Sequence, residues 1–311
     1  MGFTPTDFIW FNGALVPWGD AKVHVLAHGL HYGTGVFEGM RCYPTADGPA
    51  VFRLDAHLER MVKSAELYEL PIPYSKEALA DATLELIRAN RLESAYIRPL
   101  AFFGAATLSV WTKDCPVEVM IAAFPTGSYH ANAAQGVRVT ISSIRKFDNA
   151  AIPAWGKACG QYINSVRAVQ EAQRRGFDEA LLLNSHGQIA EGSGENLFVV
   201  KDGAIVTNDI DASILMGVTR ASILEIARDL GIPTKVSALS VEDVLSADEL
   251  FFSGTAVEVT PIREVDGRSI GDGSMGPITR RIQETFNQAV RGQLPPYRRW
   301  LSFVRQPVTQ G

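Results

Sequence analysis

The chain has 311 residues, of which 46% are hydrophobic and 20% charged, and its formal net charge is −5. This composition is ordinary for a globular protein with one large or two medium domains. The acidic balance and the lack of a lysine or arginine run exclude a basic nucleic-acid-binding arm. No apolar run approaches the roughly 18 residues that cross a bilayer. We therefore expect neither a nucleic-acid nor a membrane partner.

The three cysteines, Cys42, Cys115 and Cys159, are scattered and lack the spacing of a metal site. Such an odd set fits free thiols in a reducing compartment. The first residues also lack the basic and apolar regions of a signal peptide. We therefore expect a cytoplasmic protein without a bound metal.

Residues 1–125 are predicted to form a small N-terminal domain of strands and two helices. Apolar residues alternate with polar ones around Asn12-Gly13, which predicts a β-hairpin. We expect Asp55 to cap the first helix and Ser75 to cap the second. Longer strands are predicted over residues 95–103 and 117–124.

Residues 126–136 are small and polar, which predicts an interdomain loop. Residues 137–311 then form a larger C-terminal domain that mixes strands with helices. Its tail, with Pro295 and Trp300, is expected to contain a short helix. Strands are predicted over residues 137–143, 179–183, 196–200, 204–207 and 249–252, and helices after Gly160, from near Thr219 and over 278–290.

Three groups of complementary chemistry lie in one predicted αβ unit of this second domain. Lys157 precedes a turn of small residues, Tyr162 follows it, and Glu191 opens a glycine-rich turn. An amine can bond pyridoxal phosphate as a Schiff base, and a phenol can bond the ring hydroxyl. A carboxylate can keep the pyridine nitrogen protonated. The pattern therefore predicts a pyridoxal phosphate site.

Two further turns could bind the phosphate of such a cofactor. Residues 216–220 run through a glycine turn into a predicted helix, whose N-terminus offers backbone N–H donors. Residues 253–256 place hydroxyls and amides at the end of a strand. Together with the amine, phenol and carboxylate, these turns describe one site.

Other interpretations of single features stay open at this point. Gly33, Gly35 and Gly39 faintly match a dinucleotide fingerprint, although the last glycine is one residue late. Strand glycines that permit a close approach are the alternative. Arg60, in the middle of a predicted helix, could simply be a solvated arginine.

Several blocks, taken in order, resemble the class IV, fold-type IV pyridoxal phosphate aminotransferases, and closely the bacterial branched-chain amino acid aminotransferases. The resemblance runs from about Ile9 to Arg281. It implies an α/β (α+β) protein with a small N-terminal domain and a larger cofactor-binding domain with a β-barrel-like sheet and helices. The most diagnostic blocks are residues 9–13, 31–34, 36–39, 95–100, 191–198 and 253–256.

The resemblance implies a role for each matching residue. Lys157 would form the Schiff base and move a proton between the substrate Cα and the cofactor C4′. The other cofactor-binding residues would be Arg60, Tyr162, Glu191, Val218, Thr219 and Thr255. The substrate would contact Phe37, Gly39, Tyr96, Arg98, Tyr129, Thr255 and Ala256. Tyr32 and Val110 would reach the site from the partner subunit of a homodimer or hexamer.

The implied reaction is a ping-pong transamination between leucine, isoleucine or valine and 2-oxoglutarate, which yields branched-chain 2-oxo acids and L-glutamate. Arg98 at the pocket rim would bind the γ-carboxylate of glutamate and leave apolar walls for aliphatic side chains. Thr126 and Leu108 stand where the family pattern has tryptophan and methionine. The first change removes a large pocket wall, so the order of preference among branched-chain and aromatic substrates stays open.

Three kinds of alternative follow from the same residues. The first is another enzyme of this fold, namely a D-amino acid aminotransferase, an R-selective amine transaminase or an aminodeoxychorismate lyase. The second is a nucleotide-binding oxidoreductase that uses the glycines near Gly33. The third is a non-catalytic cofactor-binding or interaction protein, against which the presence of Lys157, Tyr162 and Glu191 argues.

Overall fold

The computed structural model describes residues 3–125 and 135–304. Within these ranges the chain divides into two units. The first contains residues 3–125, Gly156–Gly160 and 288–304, and the second contains 135–155 and 161–287. Each unit has its own β-sheet and its own helices, which confirms the predicted mixed α/β class.

The described elements are numbered here in chain order. The strands are β1 (Phe8–Phe11), β2 (Ala14–Pro17), β3 (Gly35–Phe37), β4 (Met40–Tyr43), β5 (Ala50–Phe52), β6 (Ala95–Phe103), β7 (Val117–Phe124), β8 (Val137–Ile141), β9 (Glu179–Leu183), β10 (Ile189–Gly192), β11 (Asn196–Lys201), β12 (Ala204–Thr207), β13 (Thr234–Val236), β14 (Glu249–Gly254), β15 (Glu258–Val265), β16 (Arg268–Ser269) and β17 (Leu301–Phe303). The α-helices are α1 (His28–Tyr32), α2 (Leu54–Leu67), α3 (Lys76–Ala89), α4 (Tyr162–Arg174), α5 (Val218–Asp229), α6 (Val241–Leu245) and α7 (Pro277–Val290).

The sheet of the first unit has, among the described residues, the strand order β17-β5-β4-β6-β7-β1-β2, with β3 also paired to β6. The β1–β2 hairpin is confirmed, and its turn residues Asn12 and Gly13 have φ angles of 48° and 95°. Positive φ at both positions is the turn geometry that matches the twist of a hairpin. The side chains of α2 and α3 pack beside the sheet in one core that includes Leu58, Met61 and Leu86.

The caps of the two helices follow different rules. Ser75 caps α3 as predicted, because its hydroxyl accepts the Ala78 N–H at 3.1 Å. The predicted cap at Asp55 is wrong, since α2 begins at Leu54 after Arg53 in the left-handed region, at φ 54°. Asp55 lies in the first turn and pairs with Lys76 at 2.6 Å.

Residues Gly156–Gly160 belong to the first unit because they bond to its backbone. The Phe37 N–H donates to the Lys157 carbonyl at 3.1 Å, and the Gly160 N–H donates to the Gly33 carbonyl at 3.1 Å. A Cβ on Gly33 would lie 2.7 Å from the Gly160 Cα, so this glycine permits a close backbone approach. The sequence-based division had instead given this segment to the C-terminal domain.

The tail also joins the first unit. The expected short helix is confirmed as a 3₁₀ helix over Pro295–Trp300, and β17 then pairs antiparallel with β5. This edge pairing explains why the tail groups with the N-terminal strands. The predicted loop over residues 126–136 lies almost wholly outside the described residues.

The sheet of the second unit has, within the described ranges, the order β10-β9-β8-β15-β14-β11-β12-β13, and β16 pairs with β15. β8 runs parallel to both β9 and β15, while β11 and β14 are antiparallel. Phe198 and Phe251 stack on one face of these two strands, with ring centroids 4.8 Å apart. Within residues 3–125 and 135–304, no helix combines the length and apolarity that a bilayer crossing requires.

Candidate active site

Glu38, directly after β3, is the electrostatic centre of the candidate residues in the first unit. It is fully buried, and its carboxylate accepts from Arg60 Nε at 2.6 Å and Arg60 Nη2 at 2.8 Å. His57 Nδ1 lies 2.8 Å from the same carboxylate and must donate, since an ionised carboxylate only accepts. The interpretation of Arg60 as a solvated arginine is therefore wrong.

Two opposing effects act on the ionisation of Glu38. Burial alone would raise the pKa of this carboxyl, but the charge of Arg60 and the hydrogen bonds from Arg60 and His57 outweigh it. The net pKa lies well below the usual range, so Glu38 stays ionised. Sequence reasoning quoted Glu38 only as part of a motif and missed both this role and His57.

Lys157 is held against the same helix. Its backbone N–H donates to Ser64 Oγ at 3.0 Å, and that hydroxyl donates to the Arg60 carbonyl at 2.7 Å. Burial, followed by the positive charge of Arg60, lowers the pKa of the Lys157 amine to about 8. A larger fraction of this amine is therefore neutral near neutral pH than for an ordinary lysine, and the neutral amine is the nucleophilic form.

The ring of Phe37 contacts both the Lys157 amine and Arg98, one of the predicted substrate residues. Lys157 Nζ lies 4.9 Å from the Phe37 ring centroid, and Arg98 Cζ lies 4.7 Å from it. Arg98 Nη2 donates to the Tyr96 hydroxyl at 3.0 Å. A Cβ on Gly39 would clash with that hydroxyl, so the glycine makes room for it. The first unit thus brings together Lys157, Phe37, Gly39, Tyr96 and Arg98, all five predicted.

Arg98 differs from Arg60 in what surrounds its charge. Within the described parts of the chain, no carboxylate pairs with Arg98, and its buried Nε has no hydrogen-bond partner. Its guanidinium lies instead over the rings of Phe37 and Tyr96. A cation in this setting favours an incoming anion that can form charge-assisted hydrogen bonds.

Glu191, on β10, organises the candidate residues of the second unit. Lys146 Nζ donates to Glu191 Oε1 at 2.7 Å, while Asn196 Nδ2 and the Leu215 N–H donate to Oε2 at 3.1 Å each. The residue is 5% exposed. Each carboxylate oxygen offers two acceptor positions, so Oε1 can accept one further donor. Sequence reasoning missed Lys146 altogether and placed Asn196 in a motif without a role.

The predicted phosphate-binding turns lie in the same unit. Val218 and Thr219 are buried in the first turn of α5. The N-cap residue is Gly217, which has no side chain that could cap the helix. Such a helix start presents N–H groups that lack intrahelical acceptors. Thr255 and Ala256 follow β14 in the turn before β15. Nearby in sequence, the Ser253 hydroxyl is buried without a partner among the described residues.

The other predicted residues are placed as follows. Tyr162 is half-buried and opens α4. Tyr32 and Val110 are exposed on the first unit, by 46% and 83%. Tyr129, a predicted substrate contact, lies outside the described residues, as does Thr126.

The glycines near Gly33 do not form a dinucleotide-binding turn. Helix α1 precedes them and β3 follows, whereas the fingerprint needs a strand before the glycines and a helix after them. The oxidoreductase alternative therefore has no support in this geometry.

Comparison with known proteins identifies the family. The family model described as Amino-transferase class IV matches residues 35–265. The branched-chain-amino-acid aminotransferase of Escherichia coli (strain K12) is 45% identical over 303 residues, which cover 96% of this chain and 98% of that protein.

Solved structures give the same result. A crystal structure of the Escherichia coli branched-chain amino acid aminotransferase has a TM-score of 0.94 and 44% identity, covering 96% of this chain and all of that one. The T.th. branched-chain enzyme complexed with N-(5'-phosphopyridoxyl)-L-glutamate has a TM-score of 0.92 and 44% identity, covering 96% and 99%. The resemblance drawn from the motifs is confirmed, and the chain belongs to the class IV aminotransferases, within their branched-chain-amino-acid aminotransferase family.

Proposed function

We propose that this protein transfers an amino group from leucine, isoleucine or valine to 2-oxoglutarate with pyridoxal phosphate as cofactor. The products are the branched-chain 2-oxo acids and L-glutamate. The observation that supports this most is the shared contact of Lys157 and Arg98 with the Phe37 ring. It sets an amine of lowered pKa beside a cation that lacks a carboxylate partner in the described chain.

The residues of the first unit fit one end of such a cofactor. Bound pyridoxal phosphate supplies an aldehyde that bonds amines and a ring that accepts electrons when the substrate Cα loses its proton. Lys157 would hold it as a Schiff base and later move that proton. Arg60, oriented by Glu38, would bind the phosphate. Both roles come from the family pattern, and the geometry of α2 suits them.

The residues of the second unit fit the ring and the phosphate. Glu191 would receive the pyridine N–H at Oε1, where its acceptor capacity is not filled by Lys146. Val218 and Thr219 would donate backbone N–H groups to the phosphate from the start of α5. Tyr162 would bond the ring oxygen, and Thr255 would add a hydroxyl.

Substrate recognition would divide between two features of the pocket. Tyr96 and the amides of Thr255 and Ala256 would bind the α-carboxylate that every substrate shares. Arg98 would bind the γ-carboxylate of glutamate, while Phe37 offers an apolar wall to leucine. One pocket would therefore serve both half-reactions in turn, which is the ping-pong order. The T.th. relative complexed with a phosphopyridoxyl-glutamate compound supports this choice of cofactor and amino acid.

We also propose that the active form is a homodimer or larger, with Tyr32 and Val110 completing the partner's site. The first unit exposes large apolar side chains on two segments that meet where the Tyr32 hydroxyl donates to the Leu108 carbonyl, and such surfaces often mark interaction sites. They are Val25, Leu26, Leu30, Tyr32, Leu108, Val110 and Trp111. The three cysteines carry no disulfide, which suits the reducing cytoplasm that we propose as its location.

Replacing Lys157 by Ala is expected to abolish both transamination and the cofactor adduct trapped by borohydride. In the parent chain stripped of cofactor, trapping of added pyridoxal phosphate should rise with pH through about 8, as the amine loses its proton. Peptide mass mapping locates the adduct. Lys63→Ala, at a lysine that is 63% exposed, is the matched control. An adduct mapped to another lysine would contradict the assignment of Lys157 as the Schiff-base lysine.

Glu191→Gln should retain cofactor but slow the reaction by orders of magnitude, because a neutral amide cannot stabilise the pyridinium proton. Stopped-flow rates of the leucine half-reaction measure this. The same substitution at Glu242, which is exposed on α6, controls for a change of net charge. A decrease in rate of no more than about threefold is too small for the loss of a catalytic charge, and it would show that Glu191 has another role.

Arg98→Ala should damage the glutamate half-reaction far more than the leucine half-reaction. Loss of a charge-assisted pair in a desolvated pocket costs about 2–5 kcal/mol, and leucine places only methyl groups there. Arg98→Met keeps an apolar stem and should show the same selectivity. Single-turnover rates with each donor decide the matter, and equal losses for both donors would indicate a structural arginine.

The parent chain should sediment as a dimer or larger at micromolar concentration. Leu30→Asp, at a side chain that is 64% exposed, should shift it toward monomer because it buries a charge in the proposed interface. Val236→Asp, 48% exposed on the second unit, should leave the assembly intact. A parent that is monomeric throughout this concentration range contradicts the proposed assembly.

A further inference from the structure

His28 is a buried histidine that none of the proposed catalytic steps uses. It opens α1, is 1% exposed, and has a partner at each ring nitrogen. Nε2 lies 2.9 Å from the Ser109 carbonyl, and Nδ1 lies 2.7 Å from Thr34 Oγ1. A carbonyl only accepts, so Nε2 carries a hydrogen and donates it to Ser109. A neutral ring then accepts the Thr34 hydroxyl at Nδ1.

Tyr32, one helical turn further along α1, acts beside His28. Residues four apart lie on the same face of a helix, and the two ring centroids are 4.5 Å apart. The Tyr32 hydroxyl donates to the Leu108 carbonyl at 2.7 Å. Two side chains of α1 therefore bind the carbonyls of consecutive residues, Leu108 and Ser109.

The segment that these bonds hold connects β6 to β7. Residues 104–116 contain neither helix nor strand, so ladder hydrogen bonds do not fix their backbone. Val110 comes directly after Ser109 and projects with 83% exposure. The only other side-chain bonds to residues 107–111 among those described are local, in which the Thr107 and Ser109 hydroxyls accept backbone N–H groups. Hence α1 supplies the non-local restraint on this segment through side chains.

We propose that His28 is a positioning residue, which holds the 104–116 segment so that Val110 is preset as a wall of the substrate side-chain pocket. This inference rests on the proposed function, in which Val110 reaches the site of a second subunit. His28 touches neither substrate nor cofactor and acts only through the Ser109 carbonyl. Its loss should therefore impair the binding of aliphatic side chains more than the chemical step.

Two substitutions of His28 by amide residues test its two hydrogen bonds one at a time. The amide nitrogen of His28→Gln can occupy the place of Nε2 and still donate to Ser109. The shorter His28→Asn can replace only Nδ1, toward Thr34. His31→Asn is the matched control, since His31 lies on the same helix and bonds to the Val25 carbonyl instead. All three are measured as cofactor-loaded protein in full steady-state kinetics.

For His28→Asn we expect the KM for leucine to rise about five- to thirty-fold, the size of one lost buried hydrogen bond, with kcat within about twofold. The KM for 2-oxoglutarate should change less, because its γ-carboxylate is bound by Arg98. His28→Gln and His31→Asn should remain near the parent. Hydrogen exchange of peptides from residues 104–116 should become faster in His28→Asn alone.

Other outcomes overturn the inference. Unchanged exchange in His28→Asn would show that His28 does not hold the segment. Equal rises of both KM values, or a defect in His28→Gln as large as in His28→Asn, would assign a general structural role. If His28→Asn fails to fold, His28→Gln decides alone, because a raised leucine KM in it contradicts the proposal. A parent without transaminase activity instead refutes the proposed function, while the exchange result still tests the restraint.

Discussion

One buried carboxylate, Glu38, fixes the geometry of the candidate catalytic residues in the first unit. Taking a carboxylate out of water costs several kcal/mol, which only well-placed partners offset. Arg60 meets it with two N–H groups and His57 with a third, so the end of β3 is joined to the middle of α2. The same helix holds the Lys157 backbone through Ser64. The position of the Lys157 backbone thus depends on the helix that this charge network holds in place.

This arrangement couples the reactivity of Lys157 to the stability of the folded protein. Glu38 balances the charge of Arg60, yet burial and the nearby guanidinium still lower the pKa of Lys157 from 10.5 to about 8. Because the folded-state pKa is lowered, the charged amine is disfavoured in the folded protein. The resulting loss of folding stability is complete below about pH 8 and disappears above 10.5. The protein therefore accepts a less stable folded state at neutral pH in exchange for a nucleophilic amine.

Local features were predictable from the sequence, and distant pairings were not. The Asn12-Gly13 turn and the Ser75 cap depend on neighbouring residues, so their residue types suffice. Lys146 lies 45 positions before Glu191, and the pairing of β9 with β8 on one side and β10 on the other brings them together. Likewise, no local signal shows that β17 pairs with β5 and carries the tail into the first unit. The family motifs identified the chemical groups, while their supporting partners required the fold.

Arg60 and Arg98, two arginines of the first unit, differ in whether a carboxylate balances their charge. Arg60 has its charge balanced by Glu38, which fixes its direction and leaves little net attraction for a further carboxylate. Arg98 is held by two aromatic residues, Tyr96 through its hydroxyl and ring and Phe37 through its ring, which orient the guanidinium without neutralising it. Of the two, a substrate carboxylate would therefore gain most from Arg98, while Arg60 would serve the cofactor phosphate of the proposed function. In the proposed function, an aliphatic side chain would contact the same rings instead of that cation, so one pocket would bind either substrate.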